Sequence, residues 1–342
     1  MELIKPGTNI NFIGQRKIVF FLSFCLLIGS VLTLIINKGP KYGVDFAGGT
    51  QFIVEYKSPV STAEVRKTLI DSGLESPVIQ KFGDDNQNQF QIRLLDSEQI
   101  ETSFIKNFSS YISVENNKAE VLSVDMVGPQ VSHELRSKAL LAIFYSLLFI
   151  TIYISGRFEM KWGESAVIAG SLMGTVYFLS LFNISIAYLI LFALIASLII
   201  FWYRDLRFAM GAICALIHDI IITVGLFSLL DIEFNLPIIA ALLTIIGYSL
   251  NDTIIIFDRI RENLKSEKEK LSLAELINKS INETLSRTIL TSLTTLLVLF
   301  SLFILGGGTI HDFSLAMIAG VIIGTYSSIF IASPILLVWE SK

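Results

Sequence analysis

The chain has 342 residues, of which 53% are hydrophobic and 16% charged, and its formal net charge is −4. Soluble domains average about 25% charged residues, so this chain lacks the charge to cover a soluble surface of its size. A disordered chain is excluded because it needs low hydrophobicity and high charge, and the mildly acidic balance gives nucleic acid no footing.

A membrane-spanning helix needs about 20 mostly apolar residues. The first such run is 18–36, preceded by Lys5, Arg16 and Lys17. It is longer than a signal-peptide core and has no small-residue cleavage site, so it reads as an uncleaved anchor. Residues 37–134 hold no membrane-length run. Apolar runs then follow at roughly 139–155, 165–182, 184–203, 208–230, 236–257, 288–305 and 313–339, which predicts about eight spans. Basic residues set the orientation. Lys5, Arg16, Lys17, Arg157, Lys161, Arg204, Arg207, the loop 258–287 and Lys342 fall on one side, and the short loops opposite hold none. That places 1–17 and 340–342 in the cytoplasm, 37–134 outside, and a bundle over 135–339.

The outer segment predicts an α+β domain. A strand is expected over 44–56, and Ser61 with Glu64 forms a capping box that opens a helix to about Ser72, stopped by Gly73. Strands are expected at 78–82 and 90–95, around a turn at Asp84, Asp85 and Asn86. A helix follows over 97–111 and a last strand over 119–127. The order strand-helix-strand-strand-helix-strand is that of a ferredoxin-like fold.

Within the bundle, five polar residues are candidates for a proton relay: His218, Asp219, Asn251, Asp252 and Arg287. A central Asp or Arg costs at least about 2.5–3.5 kcal/mol to insert, so such residues mark relays or ion pathways. Plainer readings stand beside this one. Ser249, Asn251 and His218 also suit interhelical hydrogen bonds worth about 0.6 kcal/mol each. Arg287 suits snorkelling to headgroups, and either acid suits a static ion pair. Ala316, Gly320, Gly324 and Ser328 put small residues on one helix face, as close packing requires. Gly306, Gly307 and Gly308 form an external turn. Leu273, Leu276, Ile277, Ile281 and Leu285, after a second capping box at Ser272 and Glu275, predict an amphipathic helix on the inner membrane face. Cys25 and Cys214 lie in apolar runs and offer no disulfide framework. No metal-ligand spacing, phosphate loop or nucleophile–base set is present, so no cofactor is expected.

Several of these segments resemble the SecD/SecF family of protein-export membrane proteins, on its SecF side. They are Tyr42 to Thr50, Val127 to Leu135, Ala240 to Asn263, Ser286 to Ser292, and His218-Asp219. The resemblance implies a six-span bundle of the proton-driven RND type and pairing with a sister subunit, SecD. It implies assistance to the SecYEG channel, with YajC as a further companion, in drawing unfolded exported polypeptides through a bacterial inner membrane. It makes the protein a translocase subunit driven by the proton motive force rather than an enzyme. The family's proton-linked Asp and Arg fall on Asp252 and Arg287. One departure stands out: about 50 residues, near 154–203, are extra to the family pattern and encode two more spans. Arg157-Phe158-Glu159-Met160 echoes Arg207-Phe208-Ala209-Met210 across that insert. The extra pair is expected at the bundle periphery or a subunit contact. Two rivals remain on sequence grounds, an independent RND-type pump and a passive translocon scaffold.

Overall fold

The computed structural model describes residues 8–72, 74, 77–82, 88–94, 102–114, 117–182, 184–267 and 271–339. The expected stop at Gly73 and the turn at Asp84–Asn86 lie outside these.

The chain enters through α1 (Arg16–Ile36) and then builds the outer domain. That domain comprises α2 (Val44–Ala47), β1 (Gly49–Tyr56), α3 (Thr62–Asp71), β2 (Val78–Phe82), β3 (Gln89–Leu94), α4 (Thr102–Ile112) and β4 (Ala119–Val127). The sheet order is β2-β3-β1-β4 with every pair antiparallel, the ferredoxin-like arrangement. Alternation along the strands sends Phe52, Val54, Tyr56, Phe90, Ile92 and Leu94 to one face, where they meet Val65, Leu69, Phe108 and Ile112 of the two helices. Phe52 stacks on Phe108 at 3.7 Å. The buried Tyr56 hydroxyl donates to Ile112 O at 2.8 Å, which satisfies a polar tip that burial would otherwise penalise. The Ser61–Glu64 capping box is formed. The expected strand over 44–56 is corrected at its start: Val44–Ala47 is a helical turn. Gly48 and Gly49 then turn the chain at φ +78° and +111°, values that L-residues avoid. At Gly48 a Cβ would stand 3.2 Å from Ser132 Oγ and 3.4 Å from Val127 O.

The bundle is α5 (Pro129–Glu159), α6 (Trp162–Ser180), α7 (Ile186–Tyr203), α8 (Arg207–Leu229), α9 (Leu236–Glu267), α10 (Leu273–Leu305) and α11 (Gly308–Ser327). All eight predicted runs are helical. Among the described residues, seven helices are long and apolar enough to cross a membrane. The one below that mark is α6, whose 19 residues include Gly163, Glu164, Ser165, Gly170, Ser171 and Gly174. The protein is a polytopic α-helical membrane protein with an α+β outer domain.

Two expectations on the inner side are corrected. The loop at 258–287 is almost wholly helix, because α9 runs to Glu267 and α10 starts at Leu273. The stripe of Leu276, Ile277, Ile281 and Leu285 does not form a separate surface helix. It is part of α10: Ile277, Ile281 and Leu285 belong to the main bundle core with Ile256, Phe257 and Ile260 of α9, and Leu276 is buried as well. The charges that made this stretch look like a loop pair with one another across helices. Arg157 meets Asp258 at 2.6 Å, Arg259 meets Glu283 at 2.6 Å, and Asn263 donates to Ser280 Oγ at 2.9 Å.

The α6–α7 pair packs on α5, with α7 also touching α8. Its two ends meet: Phe208 N donates to Glu159 Oε1 at 2.8 Å and Lys161 Nζ to Arg204 O at 2.6 Å. The echoed phenylalanines share one site, Phe158 stacking on Phe208 at 5.2 Å with Phe257 edge-on to both.

Candidate proton site within the bundle

The site forms where α8, α9, α10 and α11 meet. On α9, Ser249, Asp252, Thr253 and Ile256 follow helical spacing and all are buried. On α10 the buried hydroxyls Ser280, Thr284, Thr288 and Ser292 repeat every four residues, which aligns them on one face. On α11 the small-residue stripe meets α9 closely. A Cβ at Gly324 would lie 2.7 Å from that of Ser249, and one at Gly320 would lie 2.3 Å from Ile245. Glycine at these positions is what lets the two helices approach. Just past that contact, Ser328–Ala332 form a π-helix, a feature often found at functional sites. Ser333 Oγ donates to the Ser328 carbonyl there at 2.9 Å.

Asp219 is 1% exposed and fully engaged. Its Oδ1 lies 3.0 Å from His218 Nδ1, and its Oδ2 accepts from Ser249 Oγ at 2.7 Å and Ser327 Oγ at 2.8 Å. His218 faces Tyr326, whose hydroxyl bonds Ser23 Oγ of α1 at 2.7 Å. His218 Nε2 is buried with no hydrogen-bond partner among the described residues. Asp252 is 0% exposed and weakly held. Its Oδ2 accepts long bonds from Ser292 at 3.4 Å and Thr325 at 3.3 Å, and its Oδ1 has no hydrogen-bond partner among the described residues. Ser292 and Thr325 share a bond at 2.7 Å, and Thr253 shares one with Ser328 at 2.8 Å. Thr325 and Ser327 thus reach the two carboxylates from nearly opposite sides of one helix.

Of the five predicted residues, three come together in the interior: His218, Asp219 and Asp252. The other two do not. Asn251 is exposed on the outer face of α9, in line with exposed Ala240, Thr244 and Gly247. Arg287 is exposed on α10. Among the described residues no ion pair joins it to Asp252, whose Oδ2 meets Ser292 and Thr325 instead. The hydroxyls of Ser292, Thr325 and Ser327, which bond the acids, were not among the predicted site residues. Of these only Ser292 had a signal, the four-residue hydroxyl repeat on α10. No group of three or more His, Cys, Asp or Glu among the described residues is placed to hold a metal.

Residues 108–196 and 172–342 match the family described as protein export membrane protein SecD/SecF, C-terminal, and residues 33–60 match the SecD/SecF GG motif. The chain belongs to the SecD/SecF family. The two C-terminal matches overlap within the α6–α7 pair. The chain is 40% identical over 340 residues to a protein translocase subunit SecF from Calditerrivibrio nitroreducens, covering 97% of this chain and 95% of that one. It is 39% identical over 344 residues to a protein of the same name from Magnetococcus marinus, covering 99% and 95%. Among solved structures, the crystal structure of SecDF, a translocon-associated membrane protein from Thermus thermophilus, superposes with a TM-score of 0.73 at 33% identity. It covers all of this chain and 40% of that one, so this SecF-type chain spans less than half the length of SecDF. A super-membrane-facing form of SecDF superposes less closely, at 0.57. The protein is therefore a multi-pass membrane subunit of the SecF kind.

Proposed function

We propose that this chain pairs with SecD and uses the proton motive force to promote export of unfolded polypeptides through SecYEG. The reading places it in a bacterial inner membrane with both termini cytoplasmic, residues 37–134 periplasmic, and YajC as a further companion. The observation that carries it is Asp252, a fully buried carboxyl with one oxygen unbonded and the other held only by hydroxyls. A hydroxyl donates to a carboxylate and accepts from a carboxylic acid. Ser292 and Thr325 therefore serve either protonation state by rotating, and the proton is exchanged without breaking the packing.

Asp219 with His218 is the fixed counterpart, since His218, Ser249 and Ser327 all reach its carboxyl. Arg287 and Asn251 act from the outer face. Polar and small residues there, with open space beside Gly247, suit a partner helix rather than lipid, and SecD is the partner proposed to cover them. Moving one charge across the membrane yields about 2.3 kcal/mol per 100 mV, so a few protons suffice to bias a domain movement of several kcal/mol. That SecDF exists in more than one form supports such a movement.

The test is Asp252→Asn in vesicles that hold the chain with SecD and SecYEG. Proton-stimulated export and proton flux should both fall to background, with insertion and SecD co-purification unchanged. Export at the parent rate in that variant would falsify the assignment.

A further inference from the structure

One short segment ties the bundle to the outer sheet. Residues 230–235 join α8 to α9, the helices that carry Asp219 and Asp252, and this loop is bonded to the outer domain along its length. Phe234 pairs with Tyr42 in a parallel bridge. Gly43 N donates to Phe234 O at 2.6 Å, and Phe234 N donates to Lys41 O at 2.7 Å. At the start of α9, Leu236 N donates to Asp45 Oδ2 at 2.8 Å. On the outer rim Lys41 meets Asp231 at 2.7 Å.

Beneath the bridge lies a charged pair. Arg93 of β3 places Nη1 3.4 Å from Glu233 Oε1, with the two side chains 8% and 7% exposed. The same Nη1 donates to the carbonyl of Tyr42, so one guanidinium holds both sides of the bridge. Gln91, two residues back on β3, donates to Glu233 Oε2 at 3.2 Å. A cavity of about 720 Å³ opens beside the pair, lined by Gln51, Gln80 and Gln91 of the sheet and by Asp231, Glu233 and Asn235 of the loop.

Glue alone does not require this arrangement. Burying two charges costs solvation that their attraction only partly returns, and the loss of either partner leaves a buried lone charge. A buried pair is therefore poor adhesive and a strict register mark. It fixes one position of the α8–α9 loop against β3 and penalises slippage.

We propose that the Arg93–Glu233 pair is the coupling latch that passes displacement of α8 and α9 to the outer sheet. Arg93 and Glu233 are then positioning residues for translocation and relay no proton themselves. The latch rests on the reading of Asp252 given above, and it predicts that proton flow and export come apart when the pair is broken.

The experiment uses the full chain with SecD and SecYEG in vesicles under an imposed proton gradient, scoring proton flux and export separately. Glu233→Gln, which removes the charge and keeps the shape, should hold flux within about twofold of the parent and lower stimulated export about tenfold. Glu233→Asp should recover most of that export. Gln91→Ala, a milder change that removes one donor to Glu233, should lower export about two- to threefold at unchanged flux, and it carries the test if Glu233→Gln fails to accumulate. Asp252→Asn, in the same vesicles, should lose flux and export together. Export unchanged in both Glu233→Gln and Gln91→Ala overturns the latch, and so does a loss of flux in proportion to export. If Asp252→Asn keeps both activities, the proton reading fails and the latch with it.

Discussion

The bundle buries two aspartates a few residues from its centre, and it treats them differently. Asp219 receives three short contacts, from His218, Ser249 and Ser327. Asp252 receives two long ones and keeps a bare oxygen. A buried carboxylate with its acceptor sites filled is an anchor, and removing it strands its donors. A buried carboxylate with few donors costs energy as an anion. On the proposed function, Asp219 builds the site and Asp252 works in it.

Stability and transport measurements can break this contrast. Asp252→Asn should abolish proton-driven export yet leave the thermal midpoint in detergent unchanged or higher, because an under-solvated charge is gone. Asp219→Ala should do the reverse in kind, costing about 3–5 kcal/mol by breaking a buried hydrogen-bonded pair, read as a fall in the same midpoint. Equal destabilisation by both variants would erase the distinction. Gly324→Val should cost about 1–3 kcal/mol by overpacking, since its Cβ would strike Ser249, and it should also weaken export by parting α11 from α9. Ser327→Ala removes one of three donors to Asp219 and should cost about 1 kcal/mol, with flux near the parent level.

The smallest effect lies in the outer domain. The Ser61 amide and hydroxyl beside Glu64 hold its carboxyl below the usual glutamate range. A depressed acid stabilises the fold above its unfolded value and loses that contribution as pH falls through the folded one. Glu64→Gln should therefore flatten the acid limb of a melting curve for α3 and leave the neutral end nearly unchanged.

The outer domain was legible because each element announces itself locally. Period-two alternation in Gln51–Tyr56 and the capping box at Ser61 require no knowledge of the rest of the chain. The inner ends of α9 and α10 were not legible. Asp258, Arg259, Arg261 and Glu262 look like a solvated loop until Arg157 and Glu283 are brought beside them. His218, Asp219 and Asp252 could be found from the cost of their burial. The hydroxyls around them could not, because Ser and Thr on a helix ordinarily bond their own backbone, as Thr284 and Thr291 do here. The face that Arg287 occupies on α10 was not legible, since a basic residue near an acid invites pairing whatever face it is on.

The meeting of Glu159 with the amide of Phe208 has a practical reach. The chain departs for α6 and returns from α7 through a single doorway, so whatever hangs there can be shortened, exchanged or tagged without rerouting the polypeptide. That doorway is a natural place to graft a fluorescent or affinity hairpin onto the chain.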